Sequence, residues 1–323
     1  MLLLPTQLEN LSEFELGLDP RRPEQGRMPV RILGYGEIST VFGIQGQGLE
    51  GLALKRLPLF LSEAEVDRYR TTFVEYNRLL VEEIGLHLPP HGEILLSRRN
   101  GMPVFYIFQP ELPSSAIAHR ALHLLSPDAV LVLVRRVLEE LAKVWQFNQR
   151  QSRRQVGIDG QLSNWAIQNF NPENPHVTDA PLLYFDTSTP LFRVDGQEQL
   201  DTELFLRSAP PFLVWILRLL FLKDVVNRYY DLHLVAVDLA ANLYKEQKAE
   251  LIPAVVDVVN AFFAGPAADL GIKPIGEKEV RDYYREDALI WSLFLAMRKF
   301  DRFLRTRVAG QEYPYILPER IRR

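Results

Sequence analysis

The stretch RILGYGEISTVFGIQ, residues 31–45, places two glycines inside a run that otherwise alternates apolar and polar residues as a β-strand does. Gly34 and Gly36 weaken such a strand, because glycine loses more conformational freedom on folding than any other residue. Glycine at these positions is typical of a strand that a ligand or another backbone approaches closely. The stretch therefore predicts a β-hairpin with an accessible backbone, and what approaches it must be inferred from other parts of the chain.

The composition is that of a globular protein with a substantial core, since 47% of the 323 residues are hydrophobic and 24% are charged. A formal net charge of −4 provides no basic field, so no nucleic-acid partner is expected. The chain has no cysteine, which excludes disulfides, thiolate metal sites and a cysteine nucleophile. These features favour a cytoplasmic protein.

Two apolar segments bear on membrane association, and neither predicts a stable membrane span. The N-terminal MLLLPTQLENLSEFE has a short apolar run with no basic residue before it, which argues against a signal peptide. The run PPFLVWILRLLFLK, residues 210–223, is too short to cross a bilayer and carries Arg218 in its middle. We interpret this run as a buried helix that begins at Pro210 and Pro211. The alternative is a helix that lies on a membrane surface or docks a partner.

The order of sequence patterns predicts an α+β protein with two lobes. Residues 1–28 are turn-rich and predict an irregular N-terminal arm. Residues 29–111 contain short strand patterns, with a hairpin turn at Asn100–Gly101, and form the predicted N-lobe. One helical pattern over 61–85 interrupts the strands, with Ser62 as its N-cap and Gly85 just past its end. Residues 112–323 are mostly helical, with a β-rich island over 156–194, and form the predicted C-lobe. After the island, helices are predicted over 211–230, 232–264, 277–285 and 287–308.

Polar residues suited to phosphate and metal chemistry lie at the ends of these elements. Asp159 and Asn164 share a loop after a long helical pattern, and Asp186 ends an apolar strand. Oxygen ligands of this kind suit Mg²⁺. Upstream, Lys55 lies in the strand pattern LALKRL and Glu75 lies in the helix that follows it. A strand lysine that faces a helix carboxylate forms an ion pair able to position a phosphate.

Taken in order, these features resemble the protein-kinase-like superfamily, which includes protein kinases and small-molecule kinases of the aminoglycoside phosphotransferase type. The opening stretch fits G-x-G-x-x-S-x-V, with Ser39 in place of the third glycine and Val41 as the last residue. The strand lysine, the D-x-x-x-x-N loop and the strand-end aspartate follow in the family's order, and the resemblance covers residues 32–190. It implies a protein-kinase-like bilobal fold, with a small β-rich N-lobe and a larger, mostly helical C-lobe.

The resemblance also implies roles for individual residues, with ATP and Mg²⁺ as cofactors. Lys55, held by Glu75, would contact the α and β phosphates of ATP. Asp186 and Asn164 would hold Mg²⁺, and Asp159 would accept the proton of a hydroxyl-bearing acceptor. The adenine would lie against the backbone of the segment FQPEL that links the lobes. The nucleotide-binding residues implied in this way are Gly34, Gly36, Ser39, Lys55, Gln109 and Glu111.

Several departures from the family pattern leave alternatives open. Gly157 and Ile158 stand where the family has His followed by Arg or Gly, and Thr187 and Ser188 follow Asp186 where protein kinases have Phe and Gly. The A-P-E motif is represented only by SAPP, without its Glu, which favours a small-molecule acceptor over a protein. The alternative is a pseudokinase, a nucleotide-binding or scaffolding module without turnover. Nucleotidyl transfer on the same fold also remains open.

Three aspartates, Asp224, Asp231 and Asp238, recur every seven residues. This spacing is typical of one solvated helix stripe. Asp224 could instead support the catalytic loop, as an aspartate does in protein kinases.

Overall fold

The computed structural model describes residues 1–36, 38–207, 214 and 226–318. The helices of this part, in chain order, are α1 (Pro5–Gly17), α2 (Glu63–Arg78), α3 (Ala118–Ala121), α4 (Pro127–Arg150), α5 (Glu203–Leu206), α6 (Leu232–Lys245), α7 (Ile252–Ala264) and α8 (Glu277–Phe303). The strands are β1 (Val30–Tyr35), β2 (Thr40–Ile44), β3 (Leu52–Leu57), β4 (Gly92–Ser97), β5 (Pro103–Pro110), β6 (Arg154–Val156), β7 (Trp165–Ile167), β8 (Leu182–Tyr184), β9 (Phe192–Val194) and β10 (Gln197–Glu198).

The N-terminal lobe is built on a five-stranded antiparallel sheet in the order β1-β2-β3-β5-β4. Gly101 takes the left-handed conformation (φ 77°) that the short β4–β5 hairpin requires. Side chains alternate between the two faces of β3, so that Lys55 and Arg56 point to opposite sides of the sheet. Lys55 lies opposite Val41 on β2 and Ile107 on β5.

Helix α2 crosses one face of this sheet. The Ser62 hydroxyl accepts a hydrogen bond from the Glu65 amide (3.4 Å) at the start of the helix. The helix continues through a π-helical turn, Leu79–Ile84, and ends at Gly85 with φ 81°. Its buried stripe, at helical spacing, consists of Val66, Tyr69, Phe73 and Tyr76. This stripe belongs to the large apolar core shared with the C-terminal lobe.

The other face of the sheet is covered by α1 and by the end of the chain. Leu11 and Phe14 of α1 are buried there against Phe42, and Ile316 joins the same apolar cluster. The C-terminal segment therefore returns from the helical lobe to the N-terminal lobe.

A buried ion pair fixes α1 to the back of the sheet. Arg56 donates to both carboxylate oxygens of Glu15 (2.7 and 2.6 Å), and the Tyr106 hydroxyl donates to Glu15 as well (2.5 Å). Arg56 also donates to the Pro314 carbonyl at 2.7 Å. Burial disfavours the charge on Arg56, but the Glu15 carboxylate outweighs this effect and raises the Arg56 pKa. The pair ties arm, sheet and C-terminal segment together.

The predicted α+β class, with a β-rich N-terminal lobe and a larger, mostly helical C-terminal lobe, is confirmed. The irregular arm predicted over 1–28 is wrong in part, because α1 forms there. Pro5 suits a first helical position, and the Gln7 side chain accepts from the Leu4 amide at 2.8 Å. The helix predicted from the run at 210–223 lies outside the described residues.

Two helix predictions in the C-terminal lobe are also adjusted. The single helix predicted over 232–264 is two helices, α6 and α7, and the two predicted over 277–308 form the continuous α8 with a π-helical end. Across the described residues, no helix has both the length and the apolar character needed to cross a membrane.

Candidate active site

A cavity of about 500 Å³ opens between the five-stranded sheet and the loops of the C-terminal lobe. Predicted site residues from both lobes line it, namely Gly34, Gly36, Lys55, Gln109, Glu111, Asn164 and Asp186. The other predicted residues, Ser39, Glu75 and Asp159, are described by the structure but lie outside this lining. Most of the predicted nucleotide and metal residues therefore meet in one place, although the chain separates them widely.

Lys55 makes the central contact of the cavity. Its ammonium group donates to Asp186 Oδ1 (2.5 Å) and to the Ser188 hydroxyl (2.7 Å). The Ser188 hydroxyl in turn donates to Asp186 Oδ1 at 2.9 Å. Burial opposes the charge on Asp186, but Lys55 outweighs burial and holds the Asp186 pKa below its ordinary value. The Asp186 carboxylate is therefore ionised and carries the negative charge that a cation site requires.

The predicted pairing of Lys55 with Glu75 is wrong. Glu75 instead accepts two hydrogen bonds from Arg78, both at 2.8 Å, and these bonds lower the Glu75 pKa. The reason is helical phase, since Glu75 lies about 120° around α2 from the buried Tyr69. The helix presents Tyr69, rather than a carboxylate, to the segment that contains Asp186.

The catalytic-loop candidate, residues 159–164, is held by its own hydrogen bonds. Asp159 Oδ1 accepts from the Gln161 amide (3.1 Å), and the Asn164 side chain donates to the Asp159 carbonyl (3.3 Å). The Phe185 amide donates to the Asn164 carbonyl at 3.1 Å, which joins the loop to the strand before Asp186. The two predicted metal ligands thus sit on segments in direct contact.

Asp159 has an unusual protonation behaviour. Burial raises its pKa to about 7, and the nearby negative charges of Asp238 and Asp186 act in the same direction. A carboxylate whose pKa lies near neutrality is suited to accept a proton during a reaction.

Behind the loop lies a buried polar network that the sequence did not reveal. Asp238 on α6 accepts from the Gln161 side chain at 3.0 Å. Lys245, on the same helix, lies 3.8 Å from Asp238 and 3.3 Å from Asp287 of α8. The Asn242 side chain accepts from the amide of Leu162 at 2.7 Å. Helix α6 therefore supports the loop through Asp238 and Asn242.

The predicted solvated stripe of aspartates is accordingly wrong. Asp231 begins α6 by accepting from the His233 and Leu234 amides, and Asp238 is 5% exposed. Asp224, to which a supporting role was assigned as an alternative, lies outside the described residues.

The glycines of the hairpin have two different environments. A side chain at Gly34 would project into open space at the cavity, whereas a Cβ at Gly36 would lie 2.5 Å from the Ser39 hydroxyl. The Gly36 amide donates to the Ser39 carbonyl at 3.0 Å, and Ser39 is buried beneath the turn. Gly36 is thus required by the tight turn, while Gly34 keeps the cavity wall bare.

The segment that links the lobes runs along the cavity and carries the Leu112 amide, for which the described residues provide no backbone partner. The Glu111 amide donates to the Gly51 carbonyl (2.7 Å), and its carboxylate pairs with Arg31 (2.6 Å). Pro110 has no N–H group. Leu112 itself lines the cavity.

The oxygen donors at the cavity fit a small divalent cation. The Asp186 bonds in the described chain fall on Oδ1, which leaves Oδ2 available, and Asn164 Oδ1 has only a long contact of 3.5 Å with the Ser163 hydroxyl. Within the described ranges, no group of three or more His, Cys, Asp or Glu residues could hold a metal. Two protein ligands completed by phosphate and water oxygens are the usual arrangement for Mg²⁺.

Sequence reasoning missed three residues that hold the site. Tyr69 and Tyr76 of α2 donate their hydroxyls to the carbonyls of Ser188 (2.7 Å) and Gly157 (2.9 Å). Ser188 was noted only as a departure from the family pattern. Tyrosine in a helical apolar stripe is typical of an ordinary core, so the pattern gave no sign of these bonds.

Comparison with solved structures finds the GDP complex of wild-type aminoglycoside 2'-phosphotransferase-IIIa, at 10% identity and a TM-score of 0.33, with 81% of this chain and 100% of that chain covered. The likeness is too weak to carry an inference about activity. No curated protein matches the chain. Residues 20–302 match the model of a family of unknown function, DUF6206, and the chain belongs to that family.

Proposed function

We propose that the protein is an ATP- and Mg²⁺-dependent phosphotransferase that acts on a hydroxyl group of a small molecule. The observation that supports this most is the convergence of Lys55, Asp186 and Asn164 at one cavity, next to a loop that carries a carboxylate with a raised pKa. The incomplete A-P-E motif, which lies outside the described residues, supports a small-molecule acceptor rather than a protein.

In the proposed reaction, Asp159 accepts the proton of the acceptor hydroxyl. The acceptor oxygen attacks the γ-phosphorus, and the bond from that phosphorus to the bridging oxygen of ADP breaks. Asp186 and Asn164 would hold Mg²⁺, which neutralises phosphate charge when it is bound. Positioning and charge neutralisation supply most of the catalysis, so few side chains suffice.

Lys55 and Asp186 neutralise each other at 2.5 Å. In the proposed complex the ammonium group turns to the phosphates and the carboxylate to the cation. Each charge then keeps a partner of opposite sign, so that the exchange leaves neither charge unpaired at the half-buried site.

The base of the nucleotide is proposed to lie against the segment that links the lobes. The Leu112 amide provides a donor for a ring nitrogen, and Gln109 lines the same part of the cavity. The Arg31–Glu111 pair lies beside it and occupies the Glu111 carboxylate. Glu111 would therefore contribute to nucleotide binding as part of the cavity wall and not through its carboxylate.

We expect Asp186→Ala to abolish the Mg²⁺-dependent part of ATP binding. The wild-type protein should show a larger thermal shift with ATP and Mg²⁺ than with ATP alone, because Asp186 would hold the cation that accompanies ATP. The variant should show the same shift under both conditions. Asp282→Ala, at an exposed pair on α8, serves as a control and should behave as wild type. Equal shifts in wild type with and without Mg²⁺ would count against the proposed site.

Turnover is expected to rise with pH through about 7. Below this value Asp159 is protonated and cannot accept the acceptor proton, and above it the carboxylate is available. Burial is the largest cause of this raised pKa, Asp238 and Asp186 raise it further, and the Gln161 amide and Lys245 lower it. The measurement is kcat between pH 5.5 and 9 at saturating MgATP.

The same group gives an independent check on folding. The pKa of Asp159 is raised above its unfolded value, so the folded state binds its proton more tightly than the unfolded state does. Its contribution to stability is therefore present at low pH and is lost as the pH rises from about 4 to about 7. Asp159→Asn should remove this part of the pH dependence of Tm. A pH profile of Tm unchanged by the substitution would show that the Asp159 pKa is ordinary.

One observation favours the alternative of a pseudokinase. The strand lysine has lost its expected helix carboxylate, and it is instead paired with the metal-ligand candidate and a serine. A module that binds nucleotide without turnover would need no catalytic arrangement of side chains beyond this pairing. The two functions differ in one outcome, which is whether the γ-phosphate ever leaves ATP.

A further inference from the structure

Helix α2 contacts three segments of the C-terminal lobe with one face. Glu65 pairs with Arg207 through two hydrogen bonds (2.6 and 2.9 Å). One turn along, Tyr69 reaches the segment after Asp186, and two turns further Tyr76 reaches the loop before Asp159. Residues separated by four and by seven positions share a helix face, so the contacts follow from helical geometry.

Tyr69 contacts the segment after Asp186 at Ser188. The ring is buried, and its hydroxyl donates to the Ser188 carbonyl at 2.7 Å. The Ser188 side chain bonds to both Lys55 and Asp186, and the Ser188 amide also points to Asp186 (3.4 Å). The position of the Ser188 backbone therefore sets where the Lys55–Asp186 pair lies.

Tyr76 contacts Gly157, two residues before Asp159. The side chain is fully buried, and its hydroxyl donates to the Gly157 carbonyl at 2.9 Å. The backbone here has little freedom, because the amides of Gly157 and Ile158 are bonded to Leu191 and Tyr229. A Cβ at position 157 would lie only 3.0 Å from the Tyr229 carbonyl. Burial raises the pKa of both hydroxyls, so Tyr69 and Tyr76 remain donors at neutral pH.

We infer that α2 positions the two reacting segments through separate tyrosine hydroxyls, Tyr69 for the segment of Asp186 and Tyr76 for the loop of Asp159. These bonds take the place of an ion pair between Lys55 and Glu75, which pair instead with Asp186 and Arg78 in the described part of the chain. Both are positioning residues, since they act through Ser188 and Gly157. The inference about catalysis rests on the proposed function, whereas the inference about the two segments does not.

The test compares Tyr69→Phe with Tyr76→Phe, which remove one hydroxyl each and keep the ring. Tyr69→Phe should raise the Mg²⁺ concentration for half-maximal ATP binding by about 3- to 10-fold, the worth of one buried hydrogen bond. Tyr76→Phe should leave that concentration unchanged and lower kcat by about the same factor. Tyr106→Phe, whose hydroxyl bonds to Glu15 on the other sheet face, is the control and should change Tm only.

Hydrogen exchange separates failure of this inference from failure of the proposed function. Tyr69→Phe should speed amide exchange in residues 186–190, and Tyr76→Phe should speed it in 157–164, whether or not ATP binds. If ATP fails to bind wild type but exchange is selective, the phosphotransferase proposal is lost and the positioning of the segments stands. Equal effects of both variants on both segments, or effects no different from those of Tyr106→Phe, would overturn the inference.

Discussion

Asp159→Asn is expected to lower the rate of phosphoryl transfer by about 10²- to 10⁴-fold, the usual contribution of a positioned proton acceptor. The affinity for ATP should stay nearly intact, because Asp159 lies outside the cavity lining while Lys55 and Asp186 lie within it. The amide keeps the shape of the side chain and the acceptor for the Gln161 amide. The measurements are steady-state turnover and ATP affinity of the purified variant.

Lys55→Met provides the contrast to this prediction. It removes the charge at the cavity centre and leaves Asp186 with only its Ser188 contact, so it should weaken ATP binding as well as turnover. If Asp159→Asn weakens ATP binding as much as Lys55→Met does, the assignment of Asp159 to the acceptor is incorrect.

Glu15→Ala is expected to lower the free energy of unfolding by about 3–5 kcal/mol, the usual cost of removing one partner of a buried ion pair. The side chains of Glu15 and Arg56 are 1% and 3% exposed, so the substitution leaves an uncompensated charge in the core. Tyr106 loses its hydrogen-bond acceptor at the same time. Chemical denaturation of the purified variant measures the loss.

Two further variants make this prediction specific. Glu13→Ala, an exposed position on the same helix, should change the free energy of unfolding by less than about 0.5 kcal/mol. The double variant Glu15→Ala with Arg56→Met should be more stable than Glu15→Ala alone, because no buried charge is then unpaired. A loss for Glu15→Ala no greater than that for Glu13→Ala would show that the pair does not hold the arm.

Local sequence signals predicted those parts of the fold that local geometry decides. Period-two alternation placed Lys55 on the opposite face of β3 from Arg56, and the Asn100–Gly101 turn marked the β4–β5 hairpin correctly. The Ser62 cap and Gly85 marked the ends of the predicted helix after β3. The helical arm could have been predicted too, since a proline followed by helix-forming residues marks an N-terminus.

The partners of the site residues depended on features that spacing along the chain does not specify. Glu75 follows Lys55 at a plausible distance, but its rotation about the helix axis directs it to Arg78. Tyr69 and Tyr76 belong to an apolar stripe of the helix. Their rings alone explain why the stripe is buried, so the sequence pattern does not point to the contacts of their hydroxyls. The contact of Asp238 with Gln161 joins residues far apart in the chain, and a heptad of aspartates is more often solvated.

The same distinction applies to the predicted nucleotide residues. Gly34, Gly36, Gln109 and Glu111 line the cavity, but the Glu111 carboxylate is already paired with Arg31. Ser39 lies outside the lining, and its carbonyl accepts from the Gly36 amide within the turn. A motif can therefore locate a site without specifying which atoms remain free in it. Those atoms follow from the tertiary contacts of each side chain.

Transfer of the γ-phosphate is the central claim, and one experiment tests it most directly. The purified protein is incubated with γ-labelled ATP, Mg²⁺ and cell extract separated into small-molecule and protein fractions. Label is expected in the small-molecule fraction, and Asp159→Asn should remove it. A wild-type protein that binds ATP but labels neither fraction, does not label itself and hydrolyses no ATP would rule out a phosphotransferase and establish a nucleotide-binding module instead.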